Sequence, residues 1–468
     1  MSWTEDYTRI HTGEISCEQQ VIAFLERIKA QADLNAFLEV YDDEALKRAR
    51  ELDAANAKGK APGALHGMVI ALKDNICYAG HRVSASSKIL KGYVSPYSAT
   101  VAERLLQEGA IIIGRTNCDE FAMGSSNENS AFGTVLNAAD KTKVSGGSSG
   151  GSAVAVQAGM CHAALGSDTG GSIRQPASLT GTIGLKPTYG RVSRYGLIAY
   201  ASSLDQIGTF TTSISDAAAL LQVMQGRDPK DSTTTAKTPE QLLPLATTGQ
   251  RKIAYIKDVL EHEGLQHDLR EKCFELIERL KTDGHTVEAI DFPFLDYLIP
   301  TYYVIANAEA SSNLARFDGM RYGYRSADAH SPEEVYVKSR SEGFGKEVKN
   351  RIMMGTFVLS AGFYDAYYTK AMKARRVLQN KVNDLLQSYH FILCPTAPGE
   401  AFDIGAKAKD PVAMYLSDIY TVLANLTGHP AISLPLFTSA GKLPMGLQLM
   451  GRPFCEKDLL HFSAQLLA

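Results

Sequence analysis

Gly146-Gly-Ser-Ser-Gly-Gly-Ser152 and Gly166-Ser-Asp-Thr-Gly-Gly-Ser-Ile-Arg-Gln-Pro176 are two glycine-serine loops. Between them lie a run of small residues, Ala153 to Ala158, and a short apolar run, Cys161 to Leu165. The small residues predict a helix and the apolar run a buried strand. Residues 146–196 hold 12 of the 39 glycines and only five charged residues: Asp168, Arg174, Lys186, Arg191 and Arg194. Low charge argues burial, and dense glycine argues that backbone approaches something closely. A flexible Gly/Ser linker would not alternate with core elements in this way.

The same alternation extends outward. Met68 to Leu72, Ala110 to Ile113, Ile253 to Ile256, Phe391 to Cys394, Ala431 to Leu434 and Gly446 to Met450 read as buried strands. Helical stretches stand between or before them. Val21, Leu25 and Ile28 recur at helical spacing, Glu44 to Lys58 and Ala99 to Gln107 are rich in helix formers, and Leu269 to Thr282 carries Cys273, Leu276, Ile277 and Leu280 on one face. Short apolar strands alternating with helices predict an α/β fold, a sheet covered on both faces. The polar segment Gly226 to Thr235 reads as a surface loop within one large domain.

Composition works by exclusion. Over 468 residues, 45% are hydrophobic and 21% charged, which excludes a mainly disordered chain. The net charge of −3 gives no global basic field for nucleic acid or anionic lipid. Seven single cysteines, with no C-x-x-C, argue against a disulfide framework or a zinc site and fit reduced thiols in a cytoplasmic protein. No metal site is expected. The start, Met1-Ser-Trp-Thr-Glu-Asp6, lacks an apolar signal region, and no run of 18 apolar residues predicts a membrane span.

Three chemical readings of the glycine-serine loops compete. A phosphate loop needs a lysine after its glycines, and Gly146 to Ser152 has none. A nucleophile elbow, G-x-S-x-G at Gly146 to Gly150, needs a buried strand just before it. Here Asp140 to Ser145 are polar, and the late histidines His429 and His461 have nothing to single them out. The third reading joins two serines to a lysine. Ser172 follows a predicted strand and two glycines whose neighbouring N–H groups can turn inward as an oxyanion hole. Lys73, at the end of another predicted strand, becomes a base if burial lowers its pKa. Taken alone, Lys73 reads as a surface lysine paired with Asp74, and Ser172 as a turn or N-cap serine.

The two loops together with Lys73 resemble the amidase-signature family. The spacings, 75 residues from Lys73 to Ser148 and 24 from Ser148 to Ser172, suit its Ser–cis-Ser–Lys triad. Five further stretches resemble the branch of that family that supplies ammonia to tRNA-dependent amidotransferases. They are Thr116 to Ser125, Lys186 to Gly196, Ala201 to Gly208, Ala310 to Gly319 and Gly362 to Tyr368. The likeness runs from about Tyr7 to the C-terminus. Ser145 stands where the family pattern has proline, and Cys118 where it has methionine.

The resemblance implies one amidase-signature domain over residues 1–468 with a mixed central sheet. Its N-terminal helical segment would span about 1–60 and its catalytic core about 65–215. It implies Ser172 as nucleophile, Ser148 after a cis peptide bond as the bridge to Lys73, and backbone N–H groups of Thr169, Gly170 and Gly171 as the oxyanion hole. Glutamine would be the substrate. Asp418, the only charged residue from Pro411 to Pro435, would hold its α-ammonium amid Met414, Leu416 and Ile419. Arg351, before the uncharged run Ile352 to Tyr364, would hold its α-carboxylate, and Tyr302 would line the pocket. Asp168 and Arg174 would brace the nucleophile loop. The chain would carry no cofactor itself. ATP and Mg would act on a larger partner, designated B in that branch, which also holds the tRNA. A small third partner, designated C, would complete a heterotrimer. The rivals are a stand-alone amidase with the same triad and a catalytically idle scaffold.

Overall fold

The computed structural model describes residues 2–59, 63–406 and 417–468. Its strands are β1 (Phe37–Val40), β2 (Val69–Lys73), β3 (Ile111–Thr116), β4 (Ala163–Asp168), β5 (Ile183–Lys186) and β6 (Gln206–Thr211). The remaining strands are β7 (Lys252–Ile256), β8 (Thr286–Ile290), β9 (Phe391–Pro395), β10 (Ala431–Thr438) and β11 (Pro444–Gly451). They form one sheet in the order β1-β3-β2-β4-β6-β5-β10-β11-β9-β7-β8. The sheet is mixed. β3, β2 and β4 run parallel, as do β9, β7 and β8. β6, β5, β10 and β11 join these two blocks by antiparallel pairing.

Side chains alternate across a strand, so each face of this sheet needs its own cover. β2 shows the division. Ile70 and Leu72 enter the larger hydrophobic core, with Ile112 and Leu165. Val69 and Ala71 enter a second core, with Ile111, Ile113 and the small-residue helix Gly150–Gln157. The N-terminal helices Cys17–Ala30 and Asp42–Ala57 close that second face through Val21, Phe24, Ala45 and Ala49. This is the single α/β domain with helices on both faces that the alternating pattern predicts.

Apolar runs mark seven of the eleven strands and leave β1, β5, β6 and β8 unmarked. β6 (Gln-Ile-Gly-Thr-Phe-Thr) is fully buried yet half polar. Gln206 is satisfied by donating to Val192 O and accepting from Gly190 N–H, so its polarity costs little. β8 and β1 lie at the two sheet edges, where half-exposed positions break the apolar run. β4 starts two residues later than expected and continues through polar Ser167 and Asp168, because both find buried partners.

Parallel pairing sets Ile70 opposite Ala163 and Leu72 opposite Leu165. The C-terminal ends of β2 and β4 therefore emerge at the same edge, carrying Lys73 and Ser167–Asp168. Such edges, where the chain leaves parallel strands, are where α/β sheets build their sites.

Candidate active site

Lys73 ends β2 and is fully buried. Its Nζ donates to Ser148 Oγ at 2.8 Å, Ser149 Oγ at 2.9 Å and Ser167 Oγ at 2.9 Å. Burial pushes its pKa down to about 8, against the pull of the nearby acids Asp119, Asp168 and Asp205. It does not pair with Asp74. That carboxylate is taken by Arg115 from β3 and by the N–H groups of Ser84 and Ser86.

Ser148 follows a cis peptide bond, Gly147–Ser148. The loop that presents it is held from two sides. Gly147 N–H donates to Gln175 Oε1 at 3.0 Å, and Ser149 N–H donates to Ser172 O at 3.3 Å. The bridge expected of Ser148 is half made: its link to Lys73 is present, whereas Ser172 Oγ has no hydrogen-bond partner among the described residues. Ser172 is 8% exposed, and that remainder opens into the pocket.

The loop Asp168 to Arg174 is organised around one carboxylate. Asp168 accepts from the N–H groups of Gly171 (2.9 Å) and Ile173 (3.1 Å), from Arg174 Nε (3.1 Å) and from Asn425 Nδ2 (2.8 Å). Burial alone would raise its pKa, but Arg174, Lys186 and Asn425 outweigh it and hold the carboxyl at about 2. Arg174 also donates to Gln448 Oε1 and Thr421 O, so the pair ties the loop to β11 and to the segment after Asp418.

This arrangement corrects one expectation. The Gly171 N–H, assigned to the oxyanion hole, is engaged by Asp168 instead. A carboxylate three residues before the loop's tightest point caps the turn and takes the nearest donor. The N–H groups of Thr169, Gly170 and Ser172 have no partner among the described residues. Gly171 has φ +129°, and a Cβ there would lie 2.2 Å from Thr421 Oγ1. Only glycine fits.

The pocket over Ser172 is lined by Gly170, Gly171, Gln175, Tyr302, Arg351 and Asp418, with Ser125. It encloses about 300 Å³ of empty space, the open mouth included. Tyr302 lies on helix Leu295–Leu314 and packs so closely on Gly170 that a Cβ there would meet its hydroxyl at 2.4 Å. Arg351 lies on the neighbouring helix Lys346–Leu359, 4% exposed, and donates to Glu347 Oε1 (2.7 Å) and to the Tyr200 hydroxyl. Asp418, on the short helix Ser417–Tyr420, accepts from Ser125 Oγ (3.1 Å) and from the Tyr303 hydroxyl (2.6 Å). The neighbours Pro411, Met414 and Leu416 lie outside the described residues. Every side chain expected at the site is thus in one place.

Several contributors carry no such expectation. Ser149 and Ser167 sit inside the two glycine-serine loops and share Lys73. Gln175 sits in the second loop. It holds Gly147 N–H while its Nε2 donates to Ser125 O at 2.9 Å. Asp205 accepts from Thr169 Oγ1 (2.7 Å) and from the N–H groups of Tyr200 and Ala201. Burial pushes its carboxyl up to about 6. It lies within Ala201 to Gly208, whose only signal in the sequence is the family likeness. Tyr200 and Tyr303 have no sequence signal.

A family model described as Amidase matches residues 19–460. The chain belongs to the amidase family. As an amidase it is 51% identical to a subunit of the glutamyl-tRNA(Gln) amidotransferase of Chlorobium phaeobacteroides, the one designated A, over 96% of this chain and 94% of the relative. Among solved structures it is similar to the same subunit from Thermotoga maritima, with a TM-score of 0.78 and 42% identity over 96% of this chain and 90% of the other. It is also similar to the peptide amidase of Stenotrophomonas maltophilia, with a TM-score of 0.81 and 29% identity over 98% and 95% of the two chains. The amidase likeness therefore covers both the whole sheet and the helices that carry Tyr302 and Arg351.

Proposed function

We propose that this chain is the glutamine-hydrolysing subunit of a tRNA-dependent amidotransferase. One observation carries the reading. A buried lysine–serine pair opens onto an 8% exposed serine whose pocket presents one fixed cation, Arg351, and one fixed anion, Asp418. Free glutamine has the complementary charges, a carboxylate and an ammonium, beside a side-chain amide.

In this reading neutral Lys73 takes a proton from Ser148, which takes one from Ser172 as Ser172 Oγ attacks the amide carbon. A Ser148–Ser172 hydrogen bond has to form during turnover for that relay. The negative oxygen of the tetrahedral intermediate is held by N–H groups of Thr169, Gly170 and Ser172. The proton returns to the nitrogen, ammonia leaves, and a γ-glutamyl ester remains on Ser172. Water entering by the same relay hydrolyses the ester to glutamate. Arg351 and Asp418 hold the two charges of the substrate, and Tyr302 closes the wall beside Gly170.

The relatives are named as one subunit of an amidotransferase, which supports an assembly with further subunits. We place ATP, Mg and the main tRNA contacts on the larger partner designated B, with the small partner designated C completing the heterotrimer. Glutamyl-tRNA(Gln), or aspartyl-tRNA(Asn), would receive the ammonia. Among the described residues no helix is long and apolar enough to cross a membrane. The seven cysteines are free thiols, which supports a cytoplasmic setting.

The test is glutamine hydrolysis by the chain purified with its accompanying subunits, with and without charged tRNA and ATP. Asp418→Asn and Arg351→Met should each raise KM for glutamine by about tenfold or more, the loss expected for a charge-assisted contact. Indifference of KM to both changes would favour a stand-alone amidase with another substrate. Unchanged ammonia release by Ser172→Ala would leave only a scaffold role.

A further inference from the structure

The two charged groups of the pocket share a neighbour. Tyr303, on helix Leu295–Leu314, donates its hydroxyl to Asp418 Oδ2 at 2.6 Å. The guanidinium of Arg351 lies over the face of the same ring, 5.4 Å from its centroid, and over Tyr200 at 5.5 Å. One rigid side chain therefore touches both the anion and the cation. Asp418 also accepts from Ser125, while Arg351 donates to Glu347 on its own helix and to the Tyr200 hydroxyl. Tyr302, one residue earlier, faces Gly170, and its ring meets that of Tyr303 edge-on at 5.0 Å. The helix thus presents one tyrosine to the nucleophile loop and the next to the charged pair.

We propose that Tyr303 is a positioning residue that sets the spacing between Asp418 and Arg351, and so the selection of amides carrying both an ammonium and a carboxylate. This deepens the glutaminase reading and rests on it. The ring supplies a face for the guanidinium, where a cation gains from the π quadrupole without losing its donors. The hydroxyl fixes one carboxylate oxygen of Asp418, and Ser125 Oγ donates to the other. An aromatic ring has two side-chain torsions, so it can hold both at little entropic cost. Selectivity for a doubly charged substrate depends on both partners being correctly spaced at once.

The two functions of the side chain can be separated. Tyr303→Phe keeps the ring and removes the hydroxyl. Tyr303→Leu removes both. The substrates are glutamine, 4-carbamoylbutanoate (which lacks the ammonium) and 4-aminobutanamide (which lacks the carboxylate), with the full chain in its native complex. For Tyr303→Phe, KM should rise about tenfold for glutamine and 4-aminobutanamide, and by less than twofold for 4-carbamoylbutanoate. The effect on kcat should be the smaller one, under about threefold. For Tyr303→Leu, KM should rise for all three, by about a hundredfold for glutamine. Equal losses of kcat on all three substrates, or an unchanged KM for glutamine in Tyr303→Phe, would overturn the proposal while leaving the glutaminase reading intact. A wild-type enzyme that turns over all three amides equally well would overturn both.

Discussion

Lys73 Nζ stands 2.8 Å from Ser148 Oγ at the end of a strand with no solvent access. The amine has three hydroxyl neighbours and no carboxylate in contact among the described residues. In the proposed relay, that environment is what lets it serve as the base. Hydroxyl acceptors satisfy its protons without the strong bias toward the charged form that an ion pair would impose.

The pH profile follows with a definite sign. The folded pKa of about 8 lies below the usual value for lysine, so the neutral base fills as pH rises through 8. Log kcat/KM for glutamine should climb toward pH 8 and level off above it. Lys73→Ala should lower kcat by about 10²–10⁴ and remove that inflection. Ser167→Ala removes an acceptor that favours the charged amine, so its inflection should move to lower pH. An inflection that stays in place in Lys73→Ala would assign the titration to another group.

The ester intermediate should be visible. Acid-quenched wild-type protein incubated with glutamine should carry a glutamyl adduct on the peptide containing Ser172, detected by mass spectrometry. Ser172→Ala should show no adduct and lose at least about 10³ in kcat. Ser148→Ala should slow adduct formation without moving the adduct elsewhere.

Asp168 should govern acid stability. Its folded pKa, about 2, lies below the ordinary value of 3.8. The stabilisation is therefore present above pH 4 and is lost as pH falls from 4 to 2. A shift of that size corresponds to about 2 kcal/mol. Asp168→Asn leaves Arg174 buried without its anion and should cost about 3–5 kcal/mol at pH 7. Urea unfolding of both proteins at pH 7, 4 and 3 checks this: their stability gap should narrow as pH falls. A gap independent of pH would place the acid sensitivity elsewhere.

Gly171→Ala should be inactive although conservative. Its φ of +129° and the 2.2 Å approach to Thr421 Oγ1 force the loop to move. A strained or displaced backbone here should cost about 1–3 kcal/mol of stability and at least about 100-fold in kcat. Near-normal glutamine turnover in this variant would show that the loop tolerates displacement.

The parts of the site legible in the sequence are those that are contiguous. Ser148, Ser172 and the glycines between 146 and 171 announce themselves because backbone packing there excludes side chains over a continuous stretch. Lys73 is legible as a candidate base at the end of an apolar run, but taken alone it reads as a surface pair with Asp74, and the family pattern is what favours the base. The strands without an apolar run lack it for physical reasons. β6 is buried but half polar, and its polar groups are satisfied by partners invisible to a local pattern. β1 and β8 lie at edges, where exposure interrupts the apolar run. Gly171 shows the opposite limit: its place in the loop is as expected, but the destination of its N–H depends on the side chain of Asp168.

By itself the sequence determined an α/β fold with a buried, glycine-lined loop pair, because hydrophobic alternation and the lack of charge are local properties that burial must respect. Tertiary structure alone decided which groups meet. Parallel pairing of β2 and β4 set Lys73 beside Ser167, while Arg115 on β3 drew Asp74 away from it. Packing of helices Leu295–Leu314 and Lys346–Leu359 put Tyr303 against Arg351, and the hydroxyl of the same ring reached Asp418. These contacts join residues 48 and 115 positions apart in the chain. No local pattern encodes them, because they arise only when separate elements pack into one core.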